Sequence, residues 1–202
     1  MCFKIFYNKD KKDTTYNTGF KWTAAKGEKI KVLLNQHPYS EAIIKRLSDF
    51  ERITGIKVDY DIIPEENYAN KVTTLLNNKS GDPDVFMTGS YYIWEYASKN
   101  LILNLNRLIN NKDLMSTTYD INDFNRNVLN SLKWDSVPGN KMGTGVQWAL
   151  PIGFEIDDFA YNKEIFKERN LQPPKTMDEL IKLCRILNGF NGEDTYALAL
   201  RG

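Results

Sequence analysis

Two observations predict an α/β fold built on a parallel sheet. Residues 29–34, 56–62 and 84–87 alternate or cluster apolar side chains as strands do. The spans between them carry apolar residues at helical spacing for ten residues or more. Parallel neighbours need crossovers of that length, whereas antiparallel ones close through tight turns.

Taken in order, residues 1–28 show neither helical nor strand period and are expected to be a poorly ordered leader or tether. Phe3, Ile5, Phe6, Phe20 and Trp22 make it more apolar than a linker needs. In the first strand Ile30, Val32 and Leu34 alternate with Lys29, Lys31 and Leu33, and Gln36-His37-Pro38 forms a polar turn. Ser40 is expected to cap a helix whose Ile43, Leu47, Phe50 and Ile53 share a face, and Gly55 can take the left-handed conformation that ends it. Ile56, Val58, Tyr60 and Ile62 form the second strand. After Pro64, Tyr68, Val72, Leu75 and Leu76 line one stripe of a second helix, and Gly81-Asp82-Pro83 turns the chain into a short third strand at 84–87.

Two further helical patterns lie around 101–109 and 121–132, and the Gly-rich stretch 137–145 reads as a hairpin or exposed loop. The segment from Val146 to Glu168 organises the chain. It runs as an apolar extended piece with Val146, Trp148 and Leu150, a Pro151/Gly153 break, and a second extended run through Phe159-Ala160-Tyr161. Asn162 then supplies a helix cap. Such a segment is either a strand crossing between lobes at a ligand cleft or an ordinary hairpin beside a helix. Thr176 with Glu179 matches a capping box, and Leu180, Leu183, Cys184 and Leu187 form an apolar stripe that makes Cys184 a core residue. Residues 196–200 read as a strand.

A chain of 202 residues holds one large domain or two small ones. Lys plus Arg number 27 against 26 Asp plus Glu, so no nucleic-acid footprint is expected. No apolar run reaches eighteen residues, and CFKIFY, followed at once by KDKKD, is too short for the core of a signal peptide. The chain is therefore cytoplasmic as written or lacks its export signal. Cys2 is either an acylated lipoprotein cysteine behind an added methionine or an incidental thiol, and two cysteines so far apart imply no disulfide.

Glycine fingerprints for dinucleotides or phosphates, zinc-protease and serine-hydrolase motifs and C-x-x-C are all absent. His37 is the single histidine, and the pairs Asp82/Asp84 and Asp157/Asp158 have no His or Cys company, so neither metal nor cofactor is expected. Ligands of parallel sheets bind beyond the carboxyl ends of the strands. Those ends are Asn35-Gln36-His37, Ile63-Pro64-Glu65 and Thr88-Gly89-Ser90-Tyr91. Gly89 allows close approach to the backbone, Ser90 offers a hydroxyl and Tyr91 a ring with a polar tip. Ser90 could equally cap a helix followed by the core residues Ile93, Trp94 and Ala97. Glu155 with Asp157 or Asp158 could frame a glycosidic bond if the fold sets them at the required separation.

The runs LSDFERITGIKVDYDIIP, YANKVTTLLNNKSGDPDVFMTGSYYIWEYASKNLILNLNRLI and WALPIGFEIDDFAYNKEIFKERNLQPPKTMDELIKLC, in that order, resemble the family 1 extracellular solute-binding proteins of ABC transporters, sugar-type proteins related to maltose-binding protein. The match covers roughly residues 29 to 202. Asn100 stands where the family usually has Gly, and Met177 where Trp is common. The export and lipidation signal is absent and the length is about half the family's, which implies a truncated chain.

The resemblance implies a two-lobe fold of the type II periplasmic-binding-protein kind. Lobe one would span 29–147, a crossing strand 148–155, and the incomplete start of lobe two 156–202. The implied role is binding a solute of carbohydrate type and delivering it to an ABC transporter permease, outside the cell or in the periplasm. Catalysis is not implied, and membrane contact would come only through a lipid anchor. By position the implied ligand residues are Gln36, His37, Ser90, Tyr91, Trp148, Gly153, Phe154 and Asp157. Trp148 or Phe154 would stack on the sugar, while Ser90, Gln36 or Asp157 would bond its hydroxyls. A glycan-acting enzyme and a non-binding fragment remain as alternatives. If lobe two is incomplete, the helix stripe at Leu180, Leu183 and Leu187 is expected to lie exposed.

Overall fold

The computed structural model describes residues 2–3, 20–78, 81–116, 118–156 and 158–199. Its centre is β2 (Lys29–Asn35), which pairs in parallel with β3 (Lys57–Ile63) on one side and β4 (Val85–Phe86) on the other. A short β1 (Cys2–Phe3) adds antiparallel to β4, giving the order β1-β4-β2-β3. β2 and β3 stay in register along their full length, from Lys29 opposite Lys57 to Asn35 opposite Ile63. The expected strands thus form within a residue or two of where the alternation put them.

β2 is apolar on both faces because both faces are covered. Val32 and Leu34, with Val85, pack with Ile44 of α1 (Pro38–Thr54). Leu33 and Phe86 point the other way and join a larger core. It contains Tyr68, Val72 and Leu76 of α2 (Glu65–Asn77) and Ile93, Tyr96 and Ala97 of α3 (Ile93–Ser98). Helices therefore flank the sheet on both faces, as an α/β fold requires.

α1 is capped by His37, not by Ser40. The His37 ring nitrogen Nδ1 accepts from the Tyr39 N–H at 3.2 Å, and Pro38 occupies the first turn, where its missing N–H costs nothing. Ser40 is buried instead, its hydroxyl donating to Asn35 O at 2.6 Å. At the other end Gly55, at φ +71°, closes α1 as the sequence predicts. Asn100 and Asn170, at φ 55° and 52°, take the left-handed position after α3 and after α6 (Lys163–Glu168). Asn100 N–H reaches Ala97 O and Leu101 N–H reaches Tyr96 O, the paired bonds of a Schellman end.

Glu51 ties α1 to the strand that follows. Its carboxylate accepts from Lys57 Nζ and from the Val58 N–H, each at 2.8 Å, and both bonds hold it below the usual carboxylate range. A carboxyl whose pKa is lowered by folding stabilises the protein fully above its unfolded value. That contribution is lost as pH falls through the folded one. In acid titrations followed by circular dichroism, Glu51→Gln is expected to be less stable than wild type at neutral pH, with the difference shrinking below about pH 4.

Residues 101–109 are less helical than predicted. Only α4 (Asn106–Ile109) forms, while Leu101, Ile102 and Leu105 are buried in irregular chain. Likewise 121–132 divides into a single 3-10 turn at Ile121–Asp123 and α5 (Arg126–Asn130). A hairpin then pairs β5 (Lys133–Trp134) with β6 (Val146–Gln147), with the Gly-rich loop between them.

The chain divides into two compact units, Met1–Phe154 and Glu155–Gly202. The second holds α6 and α7 (Met177–Leu187). Asn162 caps α6 by accepting from Glu164 and Ile165 N–H groups. Thr176 caps α7 through Glu179 N–H, and Glu179 answers by accepting from Lys175 N–H at 2.6 Å. Leu187 is buried and Leu180, Leu183 and Cys184 half-buried, so the stripe turns inward and the expectation of an exposed one is corrected. Among residues 188–199 no strand forms. Gly189 and Thr195 instead close a turn by backbone bonding at 2.8 Å, and Phe190 lies under the Arg169 guanidinium at 4.8 Å.

Candidate functional site

β2 and β4 are parallel neighbours, so their carboxyl ends open on the same edge of the sheet. Tyr68 sets that edge. Its buried hydroxyl lies 2.8 Å from Leu33 O and 3.0 Å from Met87 O, and it accepts from Met87 N–H at 2.9 Å. Ser40 adds a second link, with its hydroxyl 2.9 Å from Met87 Sδ. Two strand ends are thereby fixed by side chains from α1 and α2, and the loops leaving them start from rigid points.

The loop after β4 carries Gly89, Ser90 and Tyr91. The Tyr91 ring rests on Gly89, where a Cβ would press on that ring and displace it. The close approach expected from a ligand is thus made by the protein's own tyrosine. Tyr91 is 71 % exposed, while Tyr92 and Tyr96 behind it stack at 5.6 Å and 11°, and Tyr96 meets Phe86 edge-on. This ladder of rings anchors an exposed loop in the buried core.

Ser90 and Tyr91 line a cavity of about 390 Å³ together with Trp94 of α3, Asn127, Asn130 and Ser131 around α5, and Met142 and Gly143 of the hairpin loop. None of the lining residues is Asp, Glu, Lys, Arg or His. The sheet's ion pairs gather instead towards the amino half of β2, where Lys29 meets Asp59 and Lys31 meets Asp61 and Asp82. The Asp82 hydrogen bond, with the charges of Asp82 and Asp61, raises the Lys31 pKa.

Trp94 was expected in the core. It is 55 % exposed, because Ile93, Tyr96 and Ala97 take the buried stripe of α3 and turn the residue between them outward. Trp148 is the converse. Expected as a stacking surface, it is 7 % exposed, sits among the core residues, and donates its indole N–H to Trp134 O at 3.0 Å. Neighbouring Gln147 is also buried, its amide donating to Leu129 O and Ala149 O.

The other predicted residues meet at Tyr39, which sequence reasoning missed. Its ring lies 4.7 Å from that of His37 and packs on Gly153, where a Cβ would come within 2.3 Å of Tyr39 Cζ. Its hydroxyl donates to Phe154 O at 2.8 Å across 115 residues of sequence. His37, Gly153 and Phe154 are thus brought together, and the Phe154 ring is left 59 % exposed. The aromatic between Pro38 and Ser40, four residues past the end of β2, was the available signal. Gln36 is exposed, its backbone N–H bonded to Ile63 O, and does not line the cavity. Asn35 Oδ1, at the same strand end, is buried without a hydrogen-bond partner among the described residues. Asp157 lies outside the described residues. Asp158 accepts from the N–H of Phe159, and among the described residues no cluster of three or more His, Cys, Asp or Glu is placed to hold a metal.

The model of the bacterial extracellular solute-binding protein family matches residues 35–201. The chain belongs to that family. It is 38 % identical over 185 residues to the erythritol/L-threitol-binding protein of Mycolicibacterium smegmatis, covering 91 % of this chain and 39 % of that protein. An uncharacterized ABC transporter extracellular-binding protein of Pyrococcus horikoshii is 25 % identical over 153 residues, 75 % of this chain and 32 % of that one. The chain spans about two fifths of the length of the first of these relatives and a third of the second.

Solved structures agree on the fold. An ABC transporter solute-binding protein from Agrobacterium radiobacter K84, in complex with ribitol, superposes with a TM-score of 0.59 at 18 % identity, covering 81 % of this chain and 38 % of that one. Another from Agrobacterium vitis S4, with bound D-mannitol, gives 0.54 at 23 % identity over 78 % and 35 %. The fold is thus that of the type II periplasmic binding proteins, here in partial coverage, and the family is one of binding proteins rather than enzymes.

Proposed function

We propose that the protein binds a neutral, hydroxyl-rich solute, a small polyol or sugar, in the cavity beyond the carboxyl end of β4, and delivers it to an ABC transporter permease without transforming it. The observation that carries this reading is the uncharged cavity entered from Ser90 and Tyr91. Hydroxyls that give and accept hydrogen bonds suit serine and asparagine, and the C–H faces of a polyol suit exposed aromatic rings. At about 390 Å³ the cavity has room for a short polyol or a monosaccharide. The names of the relatives, which bind erythritol, threitol, ribitol or mannitol, point the same way.

Tyr39, His37, Gly153 and Phe154, which meet one another but are not among the cavity's lining residues, are further candidate contacts in this reading. Family membership supports a location outside the cytoplasmic membrane, with membrane contact only through a lipid anchor at or beyond the N-terminus. The binding reading is preferred over glycan cleavage by Glu155 with Asp157 or Asp158, because the family is one of binding proteins.

The test is a calorimetric and fluorescence titration with erythritol, ribitol and D-mannitol. Saturable binding without product formation is expected. The fluorescence change is expected to vanish in Trp94→Phe and to persist in Trp148→Phe, because Trp94 lines the cavity and Trp148 does not. Turnover of a glycan, or a response that depends on Trp148 alone, would refute the assignment.

A further inference from the structure

We infer that the α5 wall of the cavity, Asn127 and Asn130 with Trp94 beside them, decides which solute is kept: an uncharged polyhydroxyl chain, read at two separate hydroxyls, with acidic and amino derivatives rejected. This rests on the solute-binding reading above and adds the residues and the chemistry of its selectivity.

The chain is rich in asparagine, and several of these side chains hold the fold. Asn125 and Asn162 cap helices, Asn104 and Asn111 accept from nearby backbone N–H groups, and Asn106 accepts from Gln147 N–H. Asn127 and Asn130 have no such role. Their side-chain amides make no hydrogen bond among the described residues, yet both line the cavity. Spaced i, i+3 on α5, they lie on one face of the helix, with Cβ atoms about 5–6 Å apart. Each amide offers both a donor and an acceptor, and a hydroxyl offers the same pair in return. Two amides at that spacing therefore meet hydroxyls on different carbons of one ligand. Ser131, whose hydroxyl donates to Val128 O, keeps its oxygen lone pairs available beside them. The exposed Trp94 ring supplies an apolar face for the carbon chain.

The same wall excludes charge. A carboxylate entering the cavity finds no Lys, Arg or His among its lining residues, and an ammonium finds no Asp or Glu. Partial desolvation of either is then uncompensated.

The experiment is calorimetry on the intact protein with erythritol, ribitol and D-mannitol, and with the aldonate and 1-amino-1-deoxy counterpart of each. The neutral polyols are expected to bind at least roughly tenfold more tightly than their charged counterparts. Asn127→Ala and Asn130→Ala are each expected to weaken polyol binding by roughly 3- to 10-fold, and the pair by more, without lowering the thermal midpoint, since neither amide makes a hydrogen bond among the described residues. Asn130→Asp is expected to shift preference towards the amino derivative, a change that loss of structure would not produce. Polyol binding unchanged in the double alanine variant, or aldonates bound as tightly as polyols, would overturn the inference. If the double variant binds normally while Ser90→Ala binds weakly, the solute-binding reading stands and this inference alone fails. If none of the neutral polyols binds the wild type, both fall.

Discussion

Trp148→Ala is expected to destabilise the first compact unit by about 3–5 kcal/mol, the range for truncating a fully packed aromatic. Trp148 is buried among residues from β2, α2, α3 and the hairpin, and its indole N–H is bonded to Trp134 O. Alanine would leave a cavity and orphan a buried carbonyl, and two losses at one site add. Trp148→Phe keeps most of the ring and loses the bond, so a cost nearer 1–2 kcal/mol is expected. Urea denaturation followed by far-ultraviolet circular dichroism reads both. An effect under about 1 kcal/mol for the alanine variant would show that the hairpin does not close the core as described.

Gly89→Ala is expected to do the opposite, weakening polyol binding by roughly tenfold or more with little change in stability. The new Cβ would meet only the far ring of Tyr91, an exposed side chain free to swing aside, and the backbone at Gly89 is in a conformation open to any residue. Relief is therefore cheap for the fold, but it moves the ring off the loop and into the space that a ligand would use. A misplacement of about 1 Å is enough to lose most of a preorganised contact. Calorimetry and thermal denaturation on the same preparation separate the two effects. Equal losses in both would mean that the loop is structural only.

The sheet was legible because its signals are local. Alternation at Ile30-Val32-Leu34 and Val58-Tyr60-Ile62, helical stripes between them, Gly55 and the Asn162 and Thr176 caps all depend on residues a few positions apart. Two of the failures were decided by a distant partner. Ser40 lost the capping role because Asn35 O and Met87 Sδ, brought near by the parallel pairing of β2 and β4, take its hydroxyl. Trp148 was read as a ligand surface because its burial depends on Trp134 and on a hairpin closed over glycines. Trp94 was read as core although the spacing of Ile93, Tyr96 and Ala97 already left it on the other side of a six-residue helix.

The candidate site was legible in outline and wrong in part. Ser90 and Tyr91 do face one cavity, and His37, Gly153 and Phe154 do meet, but through Tyr39, whose bond to Phe154 O spans 115 residues. Asn127 and Asn130 carry no sequence mark at all. What singles them out is that they line the cavity beside Ser90 and Trp94, and that requires coordinates.

Chemical-shift mapping of the intact, isotope-labelled protein during titration with ribitol tests the central claim most directly. Saturable shifts concentrated on Ser90, Tyr91, the Trp94 indole N–H and the Asn127 and Asn130 side-chain amides are the predicted result. Shifts confined to α7, or to the amino half of β2 where the ion pairs lie, with the Trp94 indole N–H unmoved, would contradict it.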